Sequence, residues 1–252
     1  MSVAAPHAIL ARVPTGSALE VPRVLFGAGR VLYVGPALDL RPHRNVTAPV
    51  ALALGSAPFR LSLGGAALRT TRAAFIPPGT HHHLHAEGPM AFAYLDGLRD
   101  GLAAPSDALL AALPRKALEP RALLEALSRC LGARSTPAAS PRLRRTIQAL
   151  DACPERFPRV EIAAAEAGLS VSRFQHVFRE VTGVPFRRYR LWRRMGVVAR
   201  ALTAGRTLTE AAHEAGFASS AHFSESFRLM FGLAPSTLLR RGLRIELDGD
   251  LT

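Results

Sequence analysis

Cysteine is scarce: Cys130 and Cys153 are the only two in 252 residues, too few for a disulfide framework or a cysteine-rich zinc site. Long apolar runs are missing too. The longest stretch without a charged side chain, Asn45 to Phe59, carries two prolines and a glycine and falls short of a membrane span. The opening residues, MSVAAPHAILARVPTG, hold neither a basic leader nor a long apolar segment, so export is not expected and the cytoplasm is the expected compartment. No nucleophile with its base and no pair of catalytic carboxylates stands out, so an enzyme is not expected. Lysine is nearly absent as well: Lys116 stands beside 31 arginines.

What is present argues for a folded chain with an anionic partner. At 48% hydrophobic and 20% charged residues, wholesale disorder is excluded, and the length suits one large domain or two of ordinary size. The net charge is +13. Forked guanidinium groups suit phosphates, although a GC-rich genome gives the same arginine bias.

The first hundred residues read as short strands. Turn formers recur (Pro22, Gly27, Gly35, Pro42, Pro49, Gly64-Gly65, Pro77-Pro78-Gly79, Gly88-Pro89), and Phe59 to Leu63 alternates apolar and polar. Ala73 to Ile76 and Met90 to Leu95 are strands of the same kind, and this spacing predicts a small sandwich or barrel. After Gly101 the pattern turns helical. Ser106 caps a helix from Asp107 to Pro114, and a second runs from Pro120 towards Gly132 with Leu123, Leu124, Leu127 and Leu131 on one face. That stripe packs on its own domain or, alternatively, forms a homodimer contact. Residues 133–141 read as a linker. Charge follows this boundary: residues 140–244 hold 18 basic and 8 acidic side chains, and the last eight hold three acids.

The second half repeats itself. Ala163-Ala164-Ala165-Glu166-Ala167-Gly168-Leu169 returns as Ala211-Ala212-His213-Glu214-Ala215-Gly216-Phe217, and Phe174, Phe178-Arg179 and Gly183 return as Phe223, Phe227-Arg228 and Gly232. Each copy has the logic of a helix-turn-helix. Alanines allow close crossing, the glycine permits a left-handed turn, and the phenylalanines at i and i+4 face the core. Thr207-Leu208-Thr209-Glu210 is a capping box for the second copy, while Pro158 stands at the matching place in the first. Ser170, and Ser219 or Ser220, cap the second helix of each unit. Outward from those helices stand Ser172, Arg173, Gln175, His176 and Arg179, then Ser220, Ala221, His222, Ser224, Glu225 and Arg228. These are groups that read base edges and hold phosphates. Between the units Pro185 to Thr203 reads as one arginine-rich helix. About 18 residues give it roughly 27 Å, against roughly 34 Å between successive major-groove segments.

These motifs carry a resemblance. From Arg142 to about Leu239, with Ile162-Ala163, Gly168-Leu169-Ser170, Phe174, Phe178-Arg179, Thr182-Gly183, Tyr189, Arg194-Met195, Ala215-Gly216-Phe217, Phe231-Gly232 and Pro235-Ser236, the chain resembles the DNA-binding domain of the AraC/XylS family of bacterial transcription regulators. The resemblance implies two helix-turn-helix units reading an asymmetric duplex site, and activation through contact with RNA polymerase. Glu225 departs from the arginine common at that position in the family.

In the first half, Pro77-Pro78-Gly79-Thr80-His81-His82-His83-Leu84 resembles the second conserved motif of cupin barrels and puts His82 at the ligand position. Pro42-His43-Arg44-Asn45 resembles the first, with asparagine in place of one histidine and no matching glutamate. His43 and His82 are therefore the candidate effector-binding residues. Histidines 81, 83 and 85 share one strand face and 82 the other, an arrangement that closes poorly around a tetrahedral ion, so neither metal nor cofactor is expected. The reading is a cupin-like effector-sensing β-barrel over 1–100, helices and a linker with a role in self-association over 101–139, a DNA-binding domain over 140–244, and an acidic tail over 245–252. The rival is a metal-dependent cupin enzyme, or a metal-binding protein, carrying a DNA-binding domain.

Overall fold

The computed structural model describes residues 19–27, 30–45, 48–95, 120–130 and 139–247. The expected helix from Asp107 and the linker over 133–138 lie outside the described residues, as do residues 248–252.

Two sheets make the N-terminal half. The strands are β1 (Arg23–Gly27), β2 (Arg30–Gly35), β3 (His43–Arg44), β4 (Ala48–Ala53), β5 (Phe59–Leu63), β6 (Arg69–Thr71), β7 (Ala73–Phe75), β8 (His81–His85) and β9 (Met90–Leu95). A tenth, β10 (Arg244–Leu247), comes from the far end of the chain. The six-stranded sheet has the order β10-β1-β2-β9-β4-β7, and the four-stranded one β3-β8-β5-β6. The expected barrel thus takes the form of two cupin-like sheets, with no closed ring of strand pairing among the described residues.

Alternation along the larger sheet sorts its side chains into two cores. Val24, Val31, Tyr33, Ala51, Phe92 and Tyr94 join Phe59, Leu61 and Leu84 of the smaller sheet. Leu25, Leu32, Val34, Val50, Leu52, Ala91 and Ala93 project the opposite way, onto Leu123, Leu124 and Leu127 of helix α1 (Pro120–Cys130). These three leucines of the stripe thereby pack within their own domain, while Leu131 lies outside the described residues.

The helical half contains α2 (Pro141–Ala152), α3 (Val160–Ala167), α4 (Val171–Thr182), α5 (Phe186–Thr203), α6 (Leu208–Glu214), α7 (Ser220–Phe231) and α8 (Pro235–Arg240). Helices α3–α4 and α6–α7 are the two repeated units. Gly168 and Gly216 turn the chain with φ of 67° and 76°, where a side chain would be strained. In the first unit Phe174, Phe178, Phe186 and Tyr189 form one aromatic cluster, and Phe217, Phe223, Phe227 and Phe231 form the counterpart in the second.

The second unit is docked on the N-terminal half. Tyr94 of β9 meets Trp192 of α5 and Phe231 of α7, with ring centroids 5.9 and 5.4 Å apart. The Arg41 N–H donates to the Gly232 carbonyl at 3.0 Å. Beyond α8 the chain returns to the sheet, where β10 lies parallel to β1 and the Arg23 guanidinium donates to the Glu246 carboxylate at 2.9 Å. Where the sequence suggests an acidic tail from 245, residues up to Leu247 therefore form an edge strand.

Phe178 is fully buried among three other rings. Phe178→Ala is expected to cost about 3–5 kcal/mol, lowering the urea midpoint, whereas Leu229→Ala, at a side chain 66% exposed, leaves it near the wild-type value.

Candidate nucleic-acid interface

Each unit presents its second helix through a serine cap. The Ser170 hydroxyl accepts from the Arg173 N–H at 3.3 Å, and the Ser219 hydroxyl accepts from the His222 N–H at 3.1 Å, so Ser219 rather than Ser220 closes α7. Entry into α6 is fixed by the capping box, in which the Glu210 carboxylate accepts from the Thr207 N–H at 2.8 Å. Helix α3 starts at Arg159 with no side-chain cap. The proline noted in the first copy accompanies that difference.

Ser170, Ser172, Arg173, Gln175, His176 and Arg179 are all exposed on the first unit. On the second, Ala221, His222, Glu225 and Arg228 are exposed, while Ser219, Ser220 and Ser224 are half-buried. The phenylalanines beneath them take the opposite face in both helices. One groove of about 950 Å³ is lined by Ser172, Gln175, His176 and Arg179 from α4, by His222 and Ser226 from α7, and by Arg187 and Arg190 from α5. The two recognition helices thus open onto a single surface.

Arg187 and Arg190 join the interface from the connector, where the run of arginines in the sequence is the signal that marks them. Arg194, from the same run, serves the fold instead. It is 6% exposed, its Nε donates to the Ala215 carbonyl at 2.6 Å, and its guanidinium lies 3.6 Å from the centre of the Phe217 ring. Burial, with Arg190 nearby, pulls it down to about 10. On α7, Glu225 forms an ion pair with Arg228 one turn on, so the charge of that helix is partly cancelled within itself.

The histidine candidates lie elsewhere. His43 and His82 are strand partners, both buried, with ring centroids 4.3 Å apart. Each Nδ1–H donates to a carbonyl two residues earlier, His43 to Arg41 at 2.8 Å and His82 to Thr80 at 2.9 Å. The Asn45 amide donates to His82 Nε2 at 3.2 Å, while His43 Nε2 and Asn45 Oδ1 are buried without a partner. His81 and His85 are exposed and His83 half-buried on the outer face of β8. Among the described residues no three histidine, cysteine, aspartate or glutamate side chains converge. Two imidazoles and an amide do not make up the ligand set of a protein zinc site, which takes three or four nitrogen, sulfur or carboxylate donors. Cys153 is a half-buried free thiol. No helix among the described residues is long and apolar enough to cross a membrane.

Burial, then the neighbouring His82, pushes His43 down to about 4, and burial likewise lowers His82. Below the ordinary imidazole value of about 6.5 the unfolded chain takes up protons that the folded chain still refuses. Stability should therefore be full above pH about 6.5 and decline towards pH about 4, by about 3 kcal/mol from His43 alone. Urea midpoints measured across that range should flatten in His43→Gln; an undiminished pH slope would contradict the assignment.

Comparison with known proteins fits this geometry. A helix-turn-helix domain model matches residues 163–241. ToxT from Vibrio cholerae is similar over 84% of this chain and 97% of its own, at 12% identity and a TM-score of 0.54, which establishes a shared fold. A ToxT structure with an unsaturated fatty acid bound covers 83% and 94%, at 11% identity and a TM-score of 0.52. The DNA-binding domain of AdpA, a global transcriptional factor solved in complex with a target DNA, is 30% identical over 41% of this chain and 92% of its own, with a TM-score of 0.36. No curated protein matches the chain. Through its carboxy-terminal pair of helix-turn-helix units, the chain belongs to the AraC/XylS family of DNA-binding transcription regulators.

Proposed function

We propose that this regulator is a transcription activator whose hold on promoter DNA responds to a small molecule. The observation that carries the reading is the single groove shared by both recognition helices. Arg173, Arg179 and Arg228 are assigned to phosphates. Gln175, His176, His222 and the serines Ser170, Ser172, Ser219, Ser220 and Ser224, beside Ala221, are assigned to base edges and the sugar-phosphate margin. RNA polymerase is the expected protein partner. The N-terminal sheets act as the sensing domain, and the segment around α1 as the connection between sensing and binding.

An apolar cavity supports the effector's place. It lies between the two halves, with a volume of about 90 Å³, and is lined by Val24, Tyr33 and Tyr94 from the sheet and by Val198, Leu202 and Phe227 from the helices. Drug-sized ligands fill roughly 300–1,000 Å³. Any such ligand must therefore wedge the halves apart to enter, and that links occupancy to domain arrangement. The ToxT complex with an unsaturated fatty acid suggests an apolar acid as the first class to test. His43 and His82, which do not line this cavity, are the polar candidates for a separate effector contact, since His43 Nε2 has no partner.

Genome-wide capture of bound DNA should give a small set of discrete promoter sites, lost in Arg173→Ala/Gln175→Ala; diffuse binding indifferent to those changes would defeat the reading. Glu225→Arg removes an acid from the exposed face of α7 and should raise duplex affinity several-fold with a steeper salt dependence; unaltered binding would mean that α7 stays off the DNA. Trp192, the chain's single tryptophan, packs at the seam beside the cavity. Its emission should shift on titration with an unsaturated fatty acid, and a flat response across apolar acids would remove the seam as the effector site.

A further inference from the structure

The groove between the recognition helices does not stop at the helical half. Through Arg187, Leu191 and Ser226 it runs on into a second cleft of about 620 Å³. One wall of that cleft is the start of α5 with the end of α7; the other is the N-terminal segment at β3, which contributes Arg41 and Arg44. Besides Arg228, which pairs with Glu225, four exposed arginines therefore meet there from two domains: Arg41 and Arg44 across from Arg187 and Arg188. None of the four forms an ion pair with an acidic side chain among the described residues. The Arg44 guanidinium reaches only the Gly79 carbonyl, at 3.4 Å, and Arg188 approaches the same turn.

Like charges gathered from separate domains repel, and the fold holds them together all the same. The Arg41 N–H donates to the Gly232 carbonyl at the end of α7. Gly232 is the residue that permits this approach. It turns with φ of 76°, and a Cβ on it would stand 2.6 Å from His43 Nδ1 and 2.8 Å from the Arg41 carbonyl. The arginines of β3 are thus held in fixed register with the second recognition helix. A polyanion lying along the groove would pass between them, and the repulsion would become attraction.

We propose that Arg41 and Arg44 clasp the DNA backbone beside the second recognition helix, so that the sensing domain is itself part of the DNA interface. The inference rests on the DNA-binding reading above and extends it to a surface outside the helix-turn-helix units. It also supplies a short route for control. A shift of β3 against α7 would remove phosphate contacts without moving either recognition helix.

The test uses the full chain and a 30-bp mixed-sequence duplex, with binding measured by fluorescence anisotropy between 50 and 200 mM salt. Arg41→Ala/Arg44→Ala is expected to weaken binding about tenfold at the lower salt and to reduce the slope of log K against log salt by about 2. Arg60→Ala/Arg69→Ala, which removes equal charge from exposed positions of the smaller sheet, should leave the slope unchanged; an equal loss there would mean bulk charge and overturn the proposal. If the Arg41/Arg44 variant binds like wild type while Arg173→Ala is weakened, the clasp is wrong and the DNA reading stands. If Arg173→Ala is also unaffected, both fall.

Discussion

One helix decides how everything else in the regulator is placed. Helix α5 gives Phe186 and Tyr189 to the core of the first helix-turn-helix unit, and Trp192, Met195 and Val198 to the core that the second unit shares with the sheet. Arg194, stacked on Phe217 and bonded to the Ala215 carbonyl, ties the same helix to the turn of the second unit. An α-helix held in two cores has little freedom to bend, so the two recognition helices are displayed at a separation set by its length. The Tyr189 hydroxyl donates to Asp151 at 2.7 Å, and Arg193 pairs with the same carboxylate at 2.6 Å, anchoring α2 to this frame.

The two units are alike in sequence and unlike in surroundings. The first closes its core with its own aromatic residues. The second shares its core with Tyr94, passes its last turn to Arg41 through Gly232, and is followed by a strand that completes the N-terminal sheet. A change in the N-terminal half therefore reaches the second unit by three separate connections, two of them through backbone hydrogen bonds. Glu225 fits this asymmetry. It offsets Arg228 on the helix that is already positioned by another domain, and leaves the stronger positive face to the first unit.

The helix-turn-helix units were legible because their demands are local. Glycine at a left-handed turn, alanine at a close crossing and serine at a helix start are each read from one or two positions, and the duplication doubled the signal. The strands were harder. In β2 and β4 both faces are buried, one under the smaller sheet and one under α1, so the polar half of the alternation is missing; β5, half exposed, keeps it. The return of residues 244–247 to the sheet left no local mark. The three acids of residues 245–252 suggest an acidic tail, and only tertiary pairing with β1 and Arg23 explains Glu246. His43 and His82 were visible as motif remnants, but their meeting across β3 and β8, against Gly232 of another domain, depends on contacts nearly 190 residues apart in sequence.

Helix α5 has 18 residues, roughly 27 Å at 1.5 Å per residue, close to one turn of the duplex. The most direct measurement is therefore guanine-N7 methylation protection on a promoter site recovered with the full-length protein. Two protected major-groove clusters are expected on one face of the DNA, centred about 10 bp apart. A single cluster, or two on opposite faces, would contradict this arrangement.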